Sequence, residues 1–138
     1  MTIEEIEKEI IEEFEIFGDS WESKYEHLID LGKSLPLINE KLKTEDRIIK
    51  GCQSRVWLNS ELIDGKIVYT ADADAIITKG MVALLVRVLS NHKPEAVVKA
   101  DLKFIDEIGL KEHLSPTRAN GLVSMINKMK TDALMLSR

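Results

Sequence analysis

The hydrophobic positions change period twice along the chain. Ile3, Ile6, Ile10, Phe14 and Phe17 recur every three or four residues, the spacing that gathers apolar side chains on one face of a helix. Thr2-Ile3-Glu4-Glu5 reads as a capping box at its start, and Gly18 ends it. Asp19-Ser20-Trp21-Glu22 supplies a second cap. Trp21, Tyr25 and Leu28 then line one side of another helix, which stops near Gly32, ahead of Pro36. The middle of the chain switches to short β-branched and aromatic runs, Arg47 to Lys50 and Val56 to Asn59. Glu61 to Ile63 and Lys66 to Tyr69 flank Asp64-Gly65, a dipeptide that favours a type I′ hairpin turn. The helical period returns with Ile77, Met81, Leu84, Leu85 and Val88, and Asn91 and Pro94 close that stretch. Pro94-Glu95 and Asp101 open two short helical pieces. Ser115-Pro116 sets a cap and a first-turn proline before a last helix carrying Ala119, Leu122, Ile126, Met129 and Ala133. The pattern predicts an α+β fold: a small three-stranded sheet, antiparallel at least across the hairpin, flanked by N-terminal and C-terminal helices.

The chain is 138 residues long and shows no repeat, low-complexity tract or linker, so one domain over residues 1–138 is expected. Its 24 acidic residues outnumber 19 basic ones, for a net charge of −5. That balance argues against nucleic acid, whose phosphates require a basic footprint. Much of the acid is local: Glu4, Glu5, Glu7, Glu9, Glu12, Glu13 and Glu15 crowd the first helix as a solvated face. The N-terminus opens on acid, with no basic segment leading an apolar one, so no signal peptide is read there. The best apolar stretch, Met81 to Leu89, is broken by Arg87 and falls short of the roughly 18 residues of a membrane span. An unpaired thiol suits the reducing cytoplasm.

That thiol, Cys52, is the only one. It excludes an internal disulfide, a Cys-x-x-Cys redox pair and a thiolate zinc site. If it reacts, the second sulfur or the electrophile comes from another molecule. Gly51 removes steric cover, Gln53 and Ser54 can donate hydrogen bonds, and Lys50 and Arg55 flank the site with positive charge, which favours the thiolate. Its place in the connection leading into the second strand predicts an exposed tip. Against this stands the plain alternative that a lone cysteine is a small core hydrophobe, and context alone leaves the two about even. His27, His92 and His113 are scattered, lack metal-ligand spacing and nominate no base. Asp72 and Asp74 could suggest acid–base work or a cation site, but no third ligand accompanies them, and a helix-capping role for Asp74 is the better expectation. Arg118 follows a cap, where a cation opposes the helix dipole. Its guanidinium either serves a carboxylate or partner, or faces solvent.

Four blocks resemble, in order, the SufE-type sulfur acceptors, the cysteine desulfuration proteins that work with a pyridoxal-phosphate cysteine desulfurase. They are Trp21-Glu22-Ser23-Lys24-Tyr25 with Leu31-Gly32-Lys33 and Leu35-Pro36, then Gly51-Cys52-Gln53-Ser54-Arg55-Val56-Trp57, then Ala71-Asp72-Ala73-Asp74-Ala75 with Lys79-Gly80, then Leu114-Ser115-Pro116-Thr117-Arg118-Ala119-Asn120-Gly121-Leu122. The resemblance implies a SufE/IscU-like fold in which Cys52 receives sulfane sulfur, stimulates the desulfurase and passes sulfur on for iron–sulfur cluster assembly. Gly51, Gln53 and Ser54 would support a thiol loop that lies against the protein body and swings out, with Arg118 and Asp74 near the thiol or the desulfurase contact. It implies an accessory protein rather than an enzyme, with no metal and no cofactor of its own, pyridoxal phosphate belonging to the partner. The expected partners are a SufS-like or CsdA-like desulfurase and a downstream iron–sulfur scaffold or other sulfur acceptor, with a homodimer as a further candidate and neither nucleic acid nor membrane. Trp57 and the hairpin are the candidates for an apolar wall sheltering a persulfide. Ala73, where the family often has serine, and Ser23, where an acid is common, bear on local contacts and partner fit. The rival classes are a Cys-dependent amidase or hydrolase, which needs a base, and a non-catalytic interaction module, which would tolerate Cys52→Ser.

Overall fold

The computed structural model describes residues 1–137. Thr2 starts α1 (Ile3–Glu15) with a complete capping box: its hydroxyl accepts from the Glu5 N–H at 3.1 Å, and the Glu5 carboxylate accepts from the Thr2 N–H at 3.0 Å. Ser20 caps α2 (Trp21–Gly32) by accepting from the Ser23 N–H. The apolar faces of both helices turn inward, burying Ile3, Ile10, Phe14 and Leu28, as helical periodicity requires.

The hairpin forms between β1 (Val56–Ile63) and β2 (Lys66–Ala73), antiparallel, with Ile63 opposite Lys66 and Val56 opposite Ala73. Asp64 and Gly65 both have positive φ, 52° and 80°, the geometry of a type I′ turn. The expected third strand over 47–50 is a single bridge instead, Ile48 opposite Trp57, with the Ile49 N–H donating to the Val56 carbonyl at 2.8 Å. A 3-10 turn over Glu45–Arg47 runs straight into this segment, and Gly51 with φ 94° turns the chain immediately after it. No length remains for a ladder. The outer edge of β2 is closed by Leu37 against Ala71 and by Ile67 against His92.

Next comes α3 (Ile76–Leu89), which contacts α1, α2, β2 and α6. It is buried well beyond the expected stripe: Met81 to Val86, Val88 and Leu89 are all inside, so it is the hub of the core rather than a surface helix. Gly80 lets α2 approach closely, because a Cβ there would lie 2.2 Å from the Leu28 carbonyl oxygen. The short helices α4 (Pro94–Lys99) and α5 (Phe104–Glu107) lead to α6 (Pro116–Leu136), which is capped by Ser115 and carries Pro116 at its first position. Tyr69 on β2 ties sheet to helix by donating its hydroxyl to the Met129 carbonyl at 2.6 Å, and burial pushes its phenol far up.

Candidate functional site

The segment from Gly51 to Arg55 connects the Ile48 bridge to β1, and two helices and the bend after β2 hold it down. At its start it lies on α6. A Cβ on Gly51 would sit 2.4 Å from Ser124 Oγ, and its φ of 94° is one that glycine adopts without strain. Cys52 then places its sulfur against the same helix, with Sγ donating to the Gly121 carbonyl at 3.6 Å. Ser54 Oγ donates to Thr78 Oγ1 of α3 at 3.1 Å. At the far end the Arg55 N–H donates to Asp74 Oδ1 at 3.0 Å, and the Asp74 N–H returns a bond to the Arg55 carbonyl at 3.1 Å.

Asp74 therefore does not cap a helix. The residue at the start of α3 is Ala75, with no side-chain cap bond, and the Asp74 carboxylate is taken by the loop amide that faces it. The thiol is not on an exposed tip either: Cys52 is half-buried, and burial pushes its thiol up from the ordinary value. Lys50 and Arg55, expected to favour the thiolate, are exposed, so desolvation decides the direction. In this docked position the sulfur is a protonated hydrogen-bond donor at neutral pH.

Beside Sγ lies a cavity of about 270 Å³. Ala75, Met81, Gly121 and Met125 make its apolar part, while Gln53, Thr117 and Arg118 line it with polar groups. Cys52, Gln53, Ser54 and Arg118 thus meet at one cavity, while Gly51 packs on Ser124 beside it and Asp74 holds the loop at its far end. Trp57 does not line the cavity. Its ring takes Lys43 Nζ at 5.2 Å, and it stands opposite Asp72 on the hairpin. The apolar wall comes from α3 and α6 instead, because alternation along β1 points Trp57 away from where the loop docks. Thr78, Met81, Ser124 and Met125 were missed by sequence reasoning, since each looks like an ordinary position on an amphipathic helix. Gly121 carried a signal, glycine inside a helical run, without saying what it faced.

The other titratable candidates lie elsewhere. Asp72 bonds Lys43 at 2.7 Å and Lys79 at 3.2 Å; burial works against ionisation, but the lysine bonds outweigh it and hold the carboxyl low. His27 pairs with Glu13 at 3.1 Å beside Phe14 and Phe17. His92 Nε2 lies 3.1 Å from the Met1 carbonyl, and His113 stacks on Trp21 at 3.9 Å. None of the histidines lines the cavity. Among the described residues no cluster of three or more His, Cys, Asp and Glu side chains is arranged to hold a metal. No helix among them is long and apolar enough to cross a membrane.

The model of the SufE family, described as an Fe-S metabolism associated domain, matches residues 8–133. The chain is 38% identical over 130 residues to an uncharacterized SufE-like protein of Rhizobium meliloti, covering 91% of this chain and 92% of that protein. It is 37% identical over 125 residues to an uncharacterized SufE-like protein of Synechocystis, covering 91% of this chain and 78% of that one. A solution structure of a hypothetical protein from Thermus thermophilus superposes with a TM-score of 0.77 over 95% of both chains at 21% identity, a likeness of fold. A family match over residues 8–133, with relatives at 37% and 38% identity, makes the chain a member of the SufE family of Fe-S metabolism associated domains.

Proposed function

We propose that the protein is a sulfur acceptor: Cys52 takes the terminal sulfur of a persulfide carried by a pyridoxal-phosphate-dependent cysteine desulfurase, accelerates that enzyme by relieving it, and delivers the sulfur for iron–sulfur cluster assembly. The observation that carries this reading is the docking of the chain's only thiol in a partly apolar cavity by a short loop whose tethers are a few hydrogen bonds. Family membership supplies the Fe-S context.

The step is a thiol exchange. The Cys52 thiolate attacks the outer sulfur of the desulfurase persulfide, a new bond forms from Sγ to that sulfur, and the bond to the desulfurase sulfur breaks. The desulfurase leaves as a thiolate and takes up a proton, so no net oxidation occurs. Access, geometry and a thiolate fraction suffice. Neither a base nor a cofactor of this chain's own enters the scheme, pyridoxal phosphate remaining the partner's. Docked, the thiol is held as a weak acid. Released, it returns toward the ordinary value of about 8.5 with Lys50 and Arg55 beside it, so presentation to the partner and activation are one movement. Gly51, Gln53 and Ser54 shape the loop, Asp74 tethers it, and Arg118 on the cavity wall is placed to meet an acidic group of the partner or the sulfur anion itself.

A Cys-dependent hydrolase would need a proton acceptor at the sulfur, and the histidines sit against Glu13, Met1 and Trp21 instead. The test is intact mass after incubation with a desulfurase and cysteine, without reductant. A gain of about 32 Da per sulfur, reversed by dithiothreitol and lost in Cys52→Ser, is expected, with that variant still binding the desulfurase. Full stimulation of the desulfurase by Cys52→Ser would instead make the protein a plain interaction module.

A further inference from the structure

Of the seven glycines in the chain, all but one have a local reason to lack a side chain. Gly18, Gly51, Gly65 and Gly109 have positive φ, where a Cβ is strained. Gly32 and Gly80 face each other where α2 crosses α3, with a Cβ on Gly32 lying 3.1 Å from the Gly80 nitrogen. Gly121 has neither reason. It lies in the second turn of a 21-residue helix, an interior position where glycine is intrinsically worse than alanine. A Cβ there would make ordinary contacts, 3.5 Å from Cys52 Sγ and 3.8 Å from its Cα. The thiol form would accept an alanine, and the chain carries glycine.

The vacant side-chain position borders the Cys52 sulfur and the cavity that Thr78, Met81 and Met125 line. On the sulfur-acceptor reading above, we propose that Gly121 is the size determinant of the site: it keeps clear the room that the sulfur acquired by Cys52 takes up while the loop stays docked. A persulfide adds an atom bonded about 2 Å from Sγ, and with the loop in place that atom must enter the cavity flanking Gly121. A methyl group 3.5 Å from Sγ narrows the cavity there. The Gly121 carbonyl, which accepts the thiol hydrogen at 3.6 Å, then faces the S–SH group in place of S–H. Glycine at this position therefore lets one docked geometry serve both the empty and the loaded carrier.

The test compares wild type with Gly121→Ala. Cys52 is loaded with inorganic polysulfide in one series, and with a cysteine desulfurase and cysteine in another. Loss of the added sulfur in dithiothreitol is then followed by intact mass. The thiol form of Gly121→Ala is expected to melt about 3 °C above wild type, because alanine is the better helix former. Its persulfide is expected to be reduced on the order of tenfold faster, the equivalent of about 1.4 kcal/mol of lost docking. Equal persulfide lifetimes overturn the proposal. So does a thiol form that melts lower than wild type, since the methyl would then already clash with the empty site. Polysulfide loading that shows the alanine effect, combined with failure of a persulfidated desulfurase to load either protein, upholds the size role and rejects the sulfur-acceptor reading. Wild type that takes no sulfur from polysulfide overturns both.

Discussion

Burial in the observed loop position makes Cys52 a weaker acid than an ordinary thiol. A group whose folded value is raised contributes its full stabilisation below the unfolded value, here about 8.5, and loses it as pH rises through the folded one. Docking is thus at full strength at neutral pH and weakens in alkali. The rate of iodoacetamide alkylation plotted against pH is expected to show a midpoint above that of the free thiol. Asp74→Ala removes the carboxylate that accepts the Arg55 N–H, a solvent-exposed bond worth roughly 0.5–1.5 kcal/mol. The variant should alkylate several-fold faster at neutral pH, with its midpoint moved toward about 8.5. A wild-type midpoint below that value would mean that Lys50 and Arg55, rather than burial, govern the thiol.

Among the elements, α2 and α3 meet through their backbones, and that contact fixes where the cavity wall stands. Thr78 and Met81, which line the cavity, flank the Gly80 contact with Leu28 on the same helix. Gly80→Ala would drive a methyl into a backbone carbonyl at 2.2 Å, and a carbonyl in a helix cannot rotate aside as a side chain can. Overpacking of this kind costs typically 1–3 kcal/mol, and the upper part of that range is expected here as a fall in the urea midpoint. An unchanged midpoint would show that the helices can separate freely. The same shift should displace Thr78 from Ser54, so Gly80→Ala is expected to speed alkylation of Cys52 as well, although it lies outside the loop.

For the molecule as a whole, charge fastens the N-terminal helix to the hub. Arg87 of α3 donates to Glu13 at 3.0 Å and to Glu9 at 2.6 Å on α1, and Glu13 also meets His27 of α2. The hydrogen bond from Arg87, outweighing desolvation, holds the Glu13 carboxyl below its usual range. A depressed acid stabilises the fold above its unfolded value and loses that contribution as pH falls through the folded one. Stability should therefore fall below about pH 4.5, the region where an unfolded glutamate begins to bind protons. Arg87→Met is expected to lower stability at pH 7 by roughly 1–3 kcal/mol and to flatten this part of the pH profile. A variant whose acid limb runs parallel to that of wild type would place the acid sensitivity elsewhere.

Local chemistry determined much of this from the sequence alone. The capping box at Thr2, the cap at Ser20, the Asp64-Gly65 turn and the Ser115-Pro116 start depend on residues within three or four positions of one another, and all form as read. Arg47 to Lys50 had strand composition but lacked length, because the turns on either side depend on packing that periodicity does not report. At the site, Gly51, Cys52, Gln53, Ser54 and Arg118 were legible as a pattern; all but Gly51, which packs on Ser124, line one cavity. Their electrostatics were not. Neighbours in sequence suggested an activated thiolate, whereas the sulfur takes its environment from Gly121 and Met125, some seventy positions away. Asp74 likewise looked like a cap for the helix it precedes, and only the pairing of β1 with β2 brought Arg55 to its carboxylate. Desolvation and hydrogen bonding depend on what closes over a group in space, so tertiary structure alone decided whether the thiol is presented or stored.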